Sequence, residues 1–287
     1  MIYLALSILS SSLIFVVFKL FTRYRVETLA AIVVNYAVAC LVGLFFYKGD
    51  VSLSEIPGKS WFLGTVALGL LFIIVFNLMA ATAQKAGVSV ASVATKMSLV
   101  VPVLFGVIVY REALGALQVL GIVLALAAVY FTAVKKSSIN FQRISLLLPL
   151  SVFLGSGIID TSIKYIQEFH IKENDYPVFS ATVFAAAAVT GILFILFKSL
   201  KNPVKIGYRN VLGGIALGVP NYFSIYFLLR ALQHDSLNSA SVFTINNVAI
   251  VMFSTLLGIV IFKEHISSKN WIGIGLAVIS ILLIALF

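Results

Sequence analysis

Long, uninterrupted apolar runs constrain the fold of this chain more than any other feature. Ten of them are long enough to cross a bilayer, which takes about 20 predominantly apolar residues in a helix. They cover residues 1–18, 27–47, 61–84, 88–110, 113–134, 144–166, 176–197, 209–230, 237–262 and 267–286. Inside lipid every backbone amide must find its partner within the chain, so these runs are predicted as helices. The sequence predicts an all-α integral membrane protein with ten transmembrane helices.

Charged residues are too scarce for a soluble protein. Only 10% of the 287 residues are Asp, Glu, Lys or Arg, whereas soluble domains carry about 25%. The net charge of +10 comes mostly from basic residues in the short connections between spans, as is usual in membrane proteins, so no nucleic-acid partner is expected. The single Cys40 and three scattered histidines predict no disulfide, no metal site and no cofactor. No catalytic motif is present, so no catalytic residue is predicted.

An internal repeat relates the two halves of the chain. Residues 84–93 read QKAGVSVASV, and residues 233–242 read QHDSLNSASV, 149 positions later. Residues 106–112 read GVIVYRE, and residues 258–264 read GIVIFKE, 152 positions later. Because each copy would hold five helices, an odd number, the second copy enters the membrane from the opposite side. We therefore predict two inverted five-helix repeats, residues 1–134 and 144–287, in one membrane domain, an architecture typical of secondary transporters.

Short motifs mark matching places in both halves. They are the small-residue runs Val90–Val93 and Ala240–Val242, the closing pairs Arg111–Glu112 and Lys263–Glu264, and the following Gln118, Gly121, Asn270 and Gly273. With the mid-span Pro102, these motifs resemble those of EamA-type members of the drug/metabolite transporter superfamily. The second half departs from the pattern, because Ser254 stands at the position that matches Pro102. The resemblance implies transport of small metabolites, often export of amino acids or toxic compounds, across a bacterial inner membrane.

We accordingly expect a multi-pass secondary transporter of the inner membrane that exports small polar, amino-acid-like or toxic compounds by alternating access. One alternative is a carrier or antiporter of anionic or phosphorylated metabolites, although the positions matching Lys96, Ile245 or Val248, supply no second cation. An intramembrane enzyme is less favoured, because the spans hold no cluster of acids, His or Cys. The expected partners are a small-molecule substrate, the lipid bilayer and a coupling proton or ion, with the protein a monomer or homodimer.

Ionisable side chains inside the spans are the main candidates for the transport site. A charge at mid-membrane costs at least about 2.5–3.5 kcal/mol, so it should face a cavity or an opposite charge. Lys96 lies near the middle of the fourth span and Asp160 near the centre of the sixth. Lys164 follows Asp160 by one helical turn, which leaves open whether Asp160 pairs locally with Lys164 or faces Lys96. In the second arrangement, substrate or a proton would compete for the pair.

Neutral polar side chains also interrupt the apolar spans. The candidates are Asn77, Asn221, Tyr222, Asn246 and Asn247. For each Asn, hydrogen bonds between packed helices and contacts with substrate are both open. Pro220, beside Asn221, is predicted to kink its helix. Glu112 and Glu264 end equivalent spans, and we expect them to fix short turns at the water boundary.

Two criteria disagree about the orientation of the chain. The connections after odd-numbered spans hold 13 basic residues, and those after even-numbered spans hold six. Because basic connections face the cytoplasm, this count places both termini outside. The family resemblance implies the reverse, with both termini in the cytoplasm. The two criteria agree only that the termini share one side.

Overall fold

A computed structural model describes residues 2–46, 53–111, 114–133, 139–171, 176–200, 206–232 and 239–286. These residues form eleven α-helices and a short 3-10 helix, Leu53–Gly58, with no strand among them. The α-helices are α1 (Ile2–Arg23), α2 (Thr28–Phe46), α3 (Phe62–Lys85), α4 (Val88–Met97), α5 (Val100–Tyr110), α6 (Ala116–Ala133), α7 (Ile139–His170), α8 (Tyr176–Ser199), α9 (Tyr208–Leu232), α10 (Ser239–Phe262) and α11 (Ser268–Leu286). They supply ten apolar segments long enough to span a membrane, which confirms the predicted all-α, ten-span fold.

The fourth span differs from the continuous helix expected over residues 88–110. It consists of α4 and α5, which are separated by Ser98 and Leu99. Pro102 has no backbone N–H, so the carbonyl of Ser98 cannot receive a regular helical hydrogen bond from that position. The carbonyl instead accepts a tighter bond from Val101 N at 2.9 Å. Pro220, in contrast, lies within α9, which remains helical from Tyr208 to Leu232.

Helix packing is largely preserved when each span is exchanged for the one five spans away. Helix α1 packs on α9 as α7 packs on α3, and α2 packs on α9 as α8 packs on α3. Helix α1 also packs on α10 as α7 packs on α4. Three further pairs, α2 with α8, α4 with α10 and α6 with α11, join a span to its own counterpart. This exchange is the expected property of two inverted repeats.

Helices α6 and α11 cross closely through two equivalent glycines. A Cβ atom on Gly121 would lie 2.7 Å from Ile284, and one on Gly273 would lie 2.7 Å from Thr132. The two contacts are related by the repeat, because Gly273 follows Gly121, and Ile284 follows Thr132, by 152 residues. Small residues at such crossings allow helix backbones to approach in the membrane. The glycines that suggested the repeat therefore hold the two halves together.

A large apolar cluster between α1, α2, α3 and α8 surrounds Tyr36. The ring of Tyr36 lies 5.2 Å from that of Phe76 and 6.1 Å from that of Phe184. Its hydroxyl donates to the carbonyl of Phe72 at 3.0 Å, so its polar atom is satisfied inside the membrane. This cluster supports one wall of the space between the two halves.

Candidate functional site

A cavity of about 300 Å³ lies between the halves and is lined by α1, α3, α4, α7, α9 and α10. Its walls use equivalent positions of the two repeats. Ser11, Ile14 and Phe15 of α1 correspond to Ser156, Ile159 and Asp160 of α7, each 145 residues later. Phe72, Val75 and Phe76 of α3 correspond to Asn221, Ser224 and Ile225 of α9, each 149 residues later. The cavity therefore lies on the pseudosymmetry axis of the fold.

The charges in this cavity do not follow the symmetry. Lys96 corresponds to Ile245 and Asp160 to Phe15, so neither charge is duplicated in the other half. They are the two titratable residues among those that line the cavity. Both line the same cavity, yet no ion pair within 4.0 Å joins them in the described structure. The cavity thus contains one basic and one acidic side chain that do not form an ion pair with each other.

Ser98, at the break between α4 and α5, holds Asp160. Its Oγ lies 3.1 Å from Asp160 Oδ2 and 2.6 Å from the carbonyl oxygen of Thr95. A hydroxyl has one hydrogen, so it can donate fully to only one of these acceptors. If Ser98 donates to Thr95, a proton on Asp160 can complete the second hydrogen bond. The helix break therefore gives Asp160 a partner in either protonation state.

Asn221 and Asn247 are the predicted neutral residues that line the cavity. Asn221 is buried, and its Nδ2 donates to Asn35 Oδ1 of α2 at 3.1 Å. The amide nitrogen of Asn35 donates to the carbonyl of Ile32 at 3.4 Å, so Asn221 can brace α2 through its Nδ2 and still present its amide oxygen as an acceptor. Asn247 is half-buried and corresponds to Ser98 in the first repeat. Both halves thus place a polar side chain at this matched position.

The other predicted residues lie outside this cavity. Asn77 donates to the carbonyl of Ile73 in its own helix at 2.8 Å. Asn246 is buried, and its Oδ1 has no hydrogen-bond partner within the described part of the chain. Lys164 is exposed near the end of α7 and does not line the cavity. Asp160 shares the cavity with Lys96, and no ion pair between Asp160 and Lys164 is present among the described residues.

Tyr222 lies in a neighbouring crevice of about 320 Å³ between α2, α8 and α9. Its ring stacks on Phe46 at 6.1 Å and on Tyr226 at 6.0 Å. The crevice and the central cavity share Ile225, so this aromatic surface adjoins the charged cavity. Tyr222 itself does not line the cavity of Lys96 and Asp160, although its neighbour Asn221 does.

The carboxylate of Glu264 joins three helices on the side of the membrane where the odd-numbered spans end, here called the basic side. Glu264 Oε1 accepts from Val88 N at 2.8 Å, and Oε2 accepts from Ser89 Oγ at 3.4 Å. Lys19 Nζ lies 3.8 Å from Oε1 and donates to the carbonyl of Gln84 at 3.0 Å. These five residues are called the Glu264 clamp below. A carboxylate at the N-terminus of α4 is favoured by unpaired N–H groups and by the helix dipole.

The sequence predicted that Glu264 fixes a short turn. In the structure it also bonds the first residues of α4. Gly87, which precedes α4, has φ 126° and ψ 160°, a region that essentially only glycine adopts. A Cβ atom there would also lie 3.0 Å from Glu264 Oε2. Lys19, Gln84 and Glu264 correspond in sequence to Lys164, Gln233 and Glu112 of the other repeat. Glu112 and Gln233 lie outside the described residues.

Several contributors to the site were missed by the sequence analysis. Ser98, Ser156 and Ser224 line the cavity, but isolated serines are common in spans and carry no distinctive signal. The hydrogen-bond partners of Glu264, Val88 and Ser89, are 176 and 175 residues away in the chain, and Lys19 is farther still, so no local pattern reveals them. A helix-by-helix repeat alignment could have found Ser156, which matches Ser11, but not Ser224, which matches Val75. Among the described residues, no group of three or more His, Cys, Asp or Glu side chains could hold a metal.

Comparison with known proteins adds three findings. A sequence model of the EamA-like transporter family matches residues 1–134 and 144–286. A Haemophilus influenzae protein described as uncharacterized is 30% identical over 282 residues, covering 94% of this chain and 93% of that protein. A protein of known crystal structure has a similar fold, with a TM-score of 0.59 and 15% identity, covering 96% of this chain and 95% of the other. At that identity the structural likeness concerns the fold alone.

Proposed function

The chain belongs to the EamA-like transporter family, and from this premise we propose that it carries small zwitterionic metabolites through the cavity between its halves. A membrane transporter with a small-molecule substrate is what the family and the ten spans support. The observation that carries the finer proposal is the separation of Lys96 and Asp160 across one cavity. A substrate carboxylate would bind Lys96 while its ammonium group binds Asp160. This arrangement would neutralise both buried charges only when the cavity is occupied.

The size and polarity of the cavity agree with an amino-acid-like substrate. A volume of about 300 Å³ is at the lower end of the range of about 300–1,000 Å³ for ligand pockets. Apolar residues such as Phe15, Phe72 and Ile159 form much of the wall, next to the two charges. A phosphorylated substrate would leave Asp160 facing a like charge, and the cavity lining offers no second cation. These features favour a zwitterion over the anionic alternative.

Asp160 is the proposed site of proton coupling. Its bond with Ser98 accommodates either protonation state, and Lys96 is the charged group that faces it within the cavity. When a substrate ammonium group leaves, a proton can replace it and reduce the cost of a buried carboxylate. Substrate and proton would therefore bind to Asp160 in alternation, which makes the carrier an antiporter. Export, the direction implied by the family resemblance, would then be driven by proton entry.

Alternating access is supported by an asymmetry in the packing of the two halves. Helix α1 packs on α3 and α4, and the Glu264 clamp joins these helices on the basic side. Within the described residues, α7 makes no comparable contact with its equivalent partners α9 and α10. Clamp residues Lys19, Ser89 and Glu264 also line an outer cavity of about 800 Å³ on the basic side. We infer a conformation closed on the basic side and opening toward the side that holds both termini.

A flux assay tests the proposal. The purified chain in liposomes would be screened with pools of amino acids and of phosphorylated metabolites, with and without an imposed pH gradient. We expect gradient-dependent flux of zwitterions. Absence of such flux for every pool would overturn the transporter function, and flux confined to phosphorylated compounds would overturn the zwitterion proposal.

The same assay tests the role of Asp160. Asp160→Asn should abolish the dependence on the pH gradient while exchange of labelled substrate persists at a reduced rate. Glu55→Gln, which removes a carboxylate from the exposed 3-10 helix, is the matched control and should transport as the unmodified protein does. Full gradient dependence in the Asp160→Asn variant would exclude Asp160 as the coupling site.

A further inference from the structure

A groove between the end of α1 and the start of α9 opens at the membrane surface on the basic side. Its volume is about 720 Å³, and its apolar wall includes Val17, Leu20 and Phe21 of α1. Leu212 and the small, exposed Ala216 of α9 form the opposite wall. Along α9 the groove extends over residues 208–216, about two and a half helical turns, and along α1 it reaches the connection to α2. Its inner part is apolar, and its outer end lies at the level of lipid headgroups.

Three arginines surround the outer end of this groove. Arg23, Arg25 and Arg209 line it together with Tyr24 and Tyr208, and no acidic residue does so. None of the three arginines forms an ion pair with an Asp or Glu of the described residues. The Arg209 guanidinium lies 5.7 Å from the centre of the Tyr208 ring, and its Nε donates to Tyr208 Oη at 3.2 Å. All three are exposed, so their remaining donors face the headgroup region.

The inverted repeat supplies a second groove that serves as an internal comparison. Ser162, Tyr165 and Ile166 of α7, with Gly64 and Ala67 of α3, occupy the equivalent positions. This groove lies on the opposite side of the membrane and has a volume of about 380 Å³. Its lining contains no basic residue. The repeat thus explains why two grooves exist, but it does not explain the arginines at one of them.

We propose that the groove between α1 and α9 is a binding site for one anionic phospholipid. The phosphate would contact Arg23, Arg25 and Arg209, and an acyl chain would lie along Val17, Leu20 and Ala216. Arginine donors suit phosphate oxygens, and basic pockets between transmembrane helices are suited to acidic headgroups. The tyrosines lie at the depth where aromatic side chains prefer the membrane interface. The site is independent of the substrate proposed for the central cavity.

Native mass spectrometry of the purified full chain tests this site. The protein would be equilibrated with equal amounts of phosphatidylglycerol and phosphatidylcholine of the same acyl chains, and retained lipid would be counted. Each arginine near an acidic headgroup is expected to strengthen binding about fivefold, so the three together contribute about 100-fold. The unmodified chain should retain one phosphatidylglycerol. The triple variant Arg23→Gln, Arg25→Gln, Arg209→Gln should lose this preference.

Two controls separate this site from general attraction to a basic protein. Lys85→Gln, Lys263→Gln, Lys269→Gln removes three charges from the same side outside the groove and should retain phosphatidylglycerol. Ala216→Phe keeps the arginines but fills the groove, and it should reduce retention, whereas Ala67→Phe in the arginine-free groove should not. Glycerol phosphate, which has no acyl chain, should not displace the lipid.

Equal loss in the two triple variants, or displacement by glycerol phosphate, would overturn the proposal. If the arginine variant fails to fold, the comparison of Ala216→Phe with Ala67→Phe gives the same decision. Both alanines are exposed on the lipid-facing surface, so a larger side chain does not disturb the core. Equal retention by these two variants would also overturn the proposal.

Discussion

The chemistry of the central cavity comes from a few side chains that break the symmetry around them. Lys96 and Asp160 could be predicted from the sequence, because the cost of a charge in lipid depends on depth in a span. Asn77 and Asn221 could not be told apart, because only packing decides which helix face meets the cavity. Ser98 required the structure as well, since its role depends on the break beside Pro102. Sequence alone therefore predicts which residues are exceptional, but not which of them meet.

Lys96 is the residue whose replacement should affect transport most directly. Loss of a charged hydrogen-bond partner weakens binding by about 10- to 100-fold, so Lys96→Met should raise the half-saturating substrate concentration by that factor or abolish flux. The measurement is zwitterion uptake into liposomes at a series of concentrations. Lys59→Met, which removes a lysine from the connection before α3, should behave as the unmodified protein does. Normal transport by Lys96→Met would show that our site assignment is wrong.

Gly87 should be intolerant of a side chain. Its φ of 126° and ψ of 160° are essentially restricted to glycine, so Gly87→Ala should cost about 1–3 kcal/mol. A Cβ atom would in addition press on Glu264. We expect a lower midpoint of thermal unfolding in detergent. Gly275→Ala, at a helical position with no neighbouring atom within 4 Å, should unfold at or above the temperature of the unmodified chain. Equal midpoints would contradict this prediction.

At the scale of helices, the sequence predicted the ten spans well because apolar length and helical hydrogen bonding are local properties. It did not predict that the fourth span is broken, although Pro102 and the offset change from 149 to 152 both occur there. Nor did it predict that the end of α10 caps the start of α4. That contact depends on the inverted packing of two distant halves, which no local pattern encodes.

The Glu264 clamp should control how firmly the basic side is closed. Glu264→Gln removes the charge that holds α4 and Lys19, and a hydrogen bond to a charged group is worth about 1.5–3 kcal/mol. The population open on the basic side should therefore rise by about tenfold or more. With Cys40→Ser as background, Ser92→Cys provides a reporter, because Ser92 is buried on α4 close to the clamp.

A membrane-impermeant maleimide added on the basic side should label this reporter faster in the Glu264→Gln variant. Glu55→Gln, which leaves the clamp intact, is the matched control and should leave the labelling rate unchanged. An unchanged rate in Glu264→Gln would mean that the clamp fixes the helix end without controlling access.

At the scale of the whole molecule, the two halves share most of their helix contacts but differ in the packing of the first span of each repeat. The packing of α1 against α3 and α4 has no comparable counterpart between α7, α9 and α10 in the described residues. If the repeats exchange conformations, this asymmetry identifies the side to which the cavity opens. Both termini lie on the side opposite the clamp, because the clamp is where odd-numbered spans end and an even number of spans returns the chain to where it began.

The cavity is expected to open on the side that holds both termini, whichever side of the membrane that is. In Cys40→Ser background, Ser224→Cys reports on the cavity, and a protease-cleavable tag at the C-terminus reports on orientation. In sealed vesicles of either orientation, impermeant maleimide should label the cysteine only when external protease removes the tag. Labelling of vesicles that protect the tag would contradict the inferred conformation.

The location of the tag in cells would separately decide the orientation of the chain. Loop charge places the termini outside, whereas the family resemblance implies that they are in the cytoplasm. Whether the termini lie outside or in the cytoplasm, the cavity should open on the same side of the membrane as the tag. The fold sets this relation, and the direction of insertion does not change it.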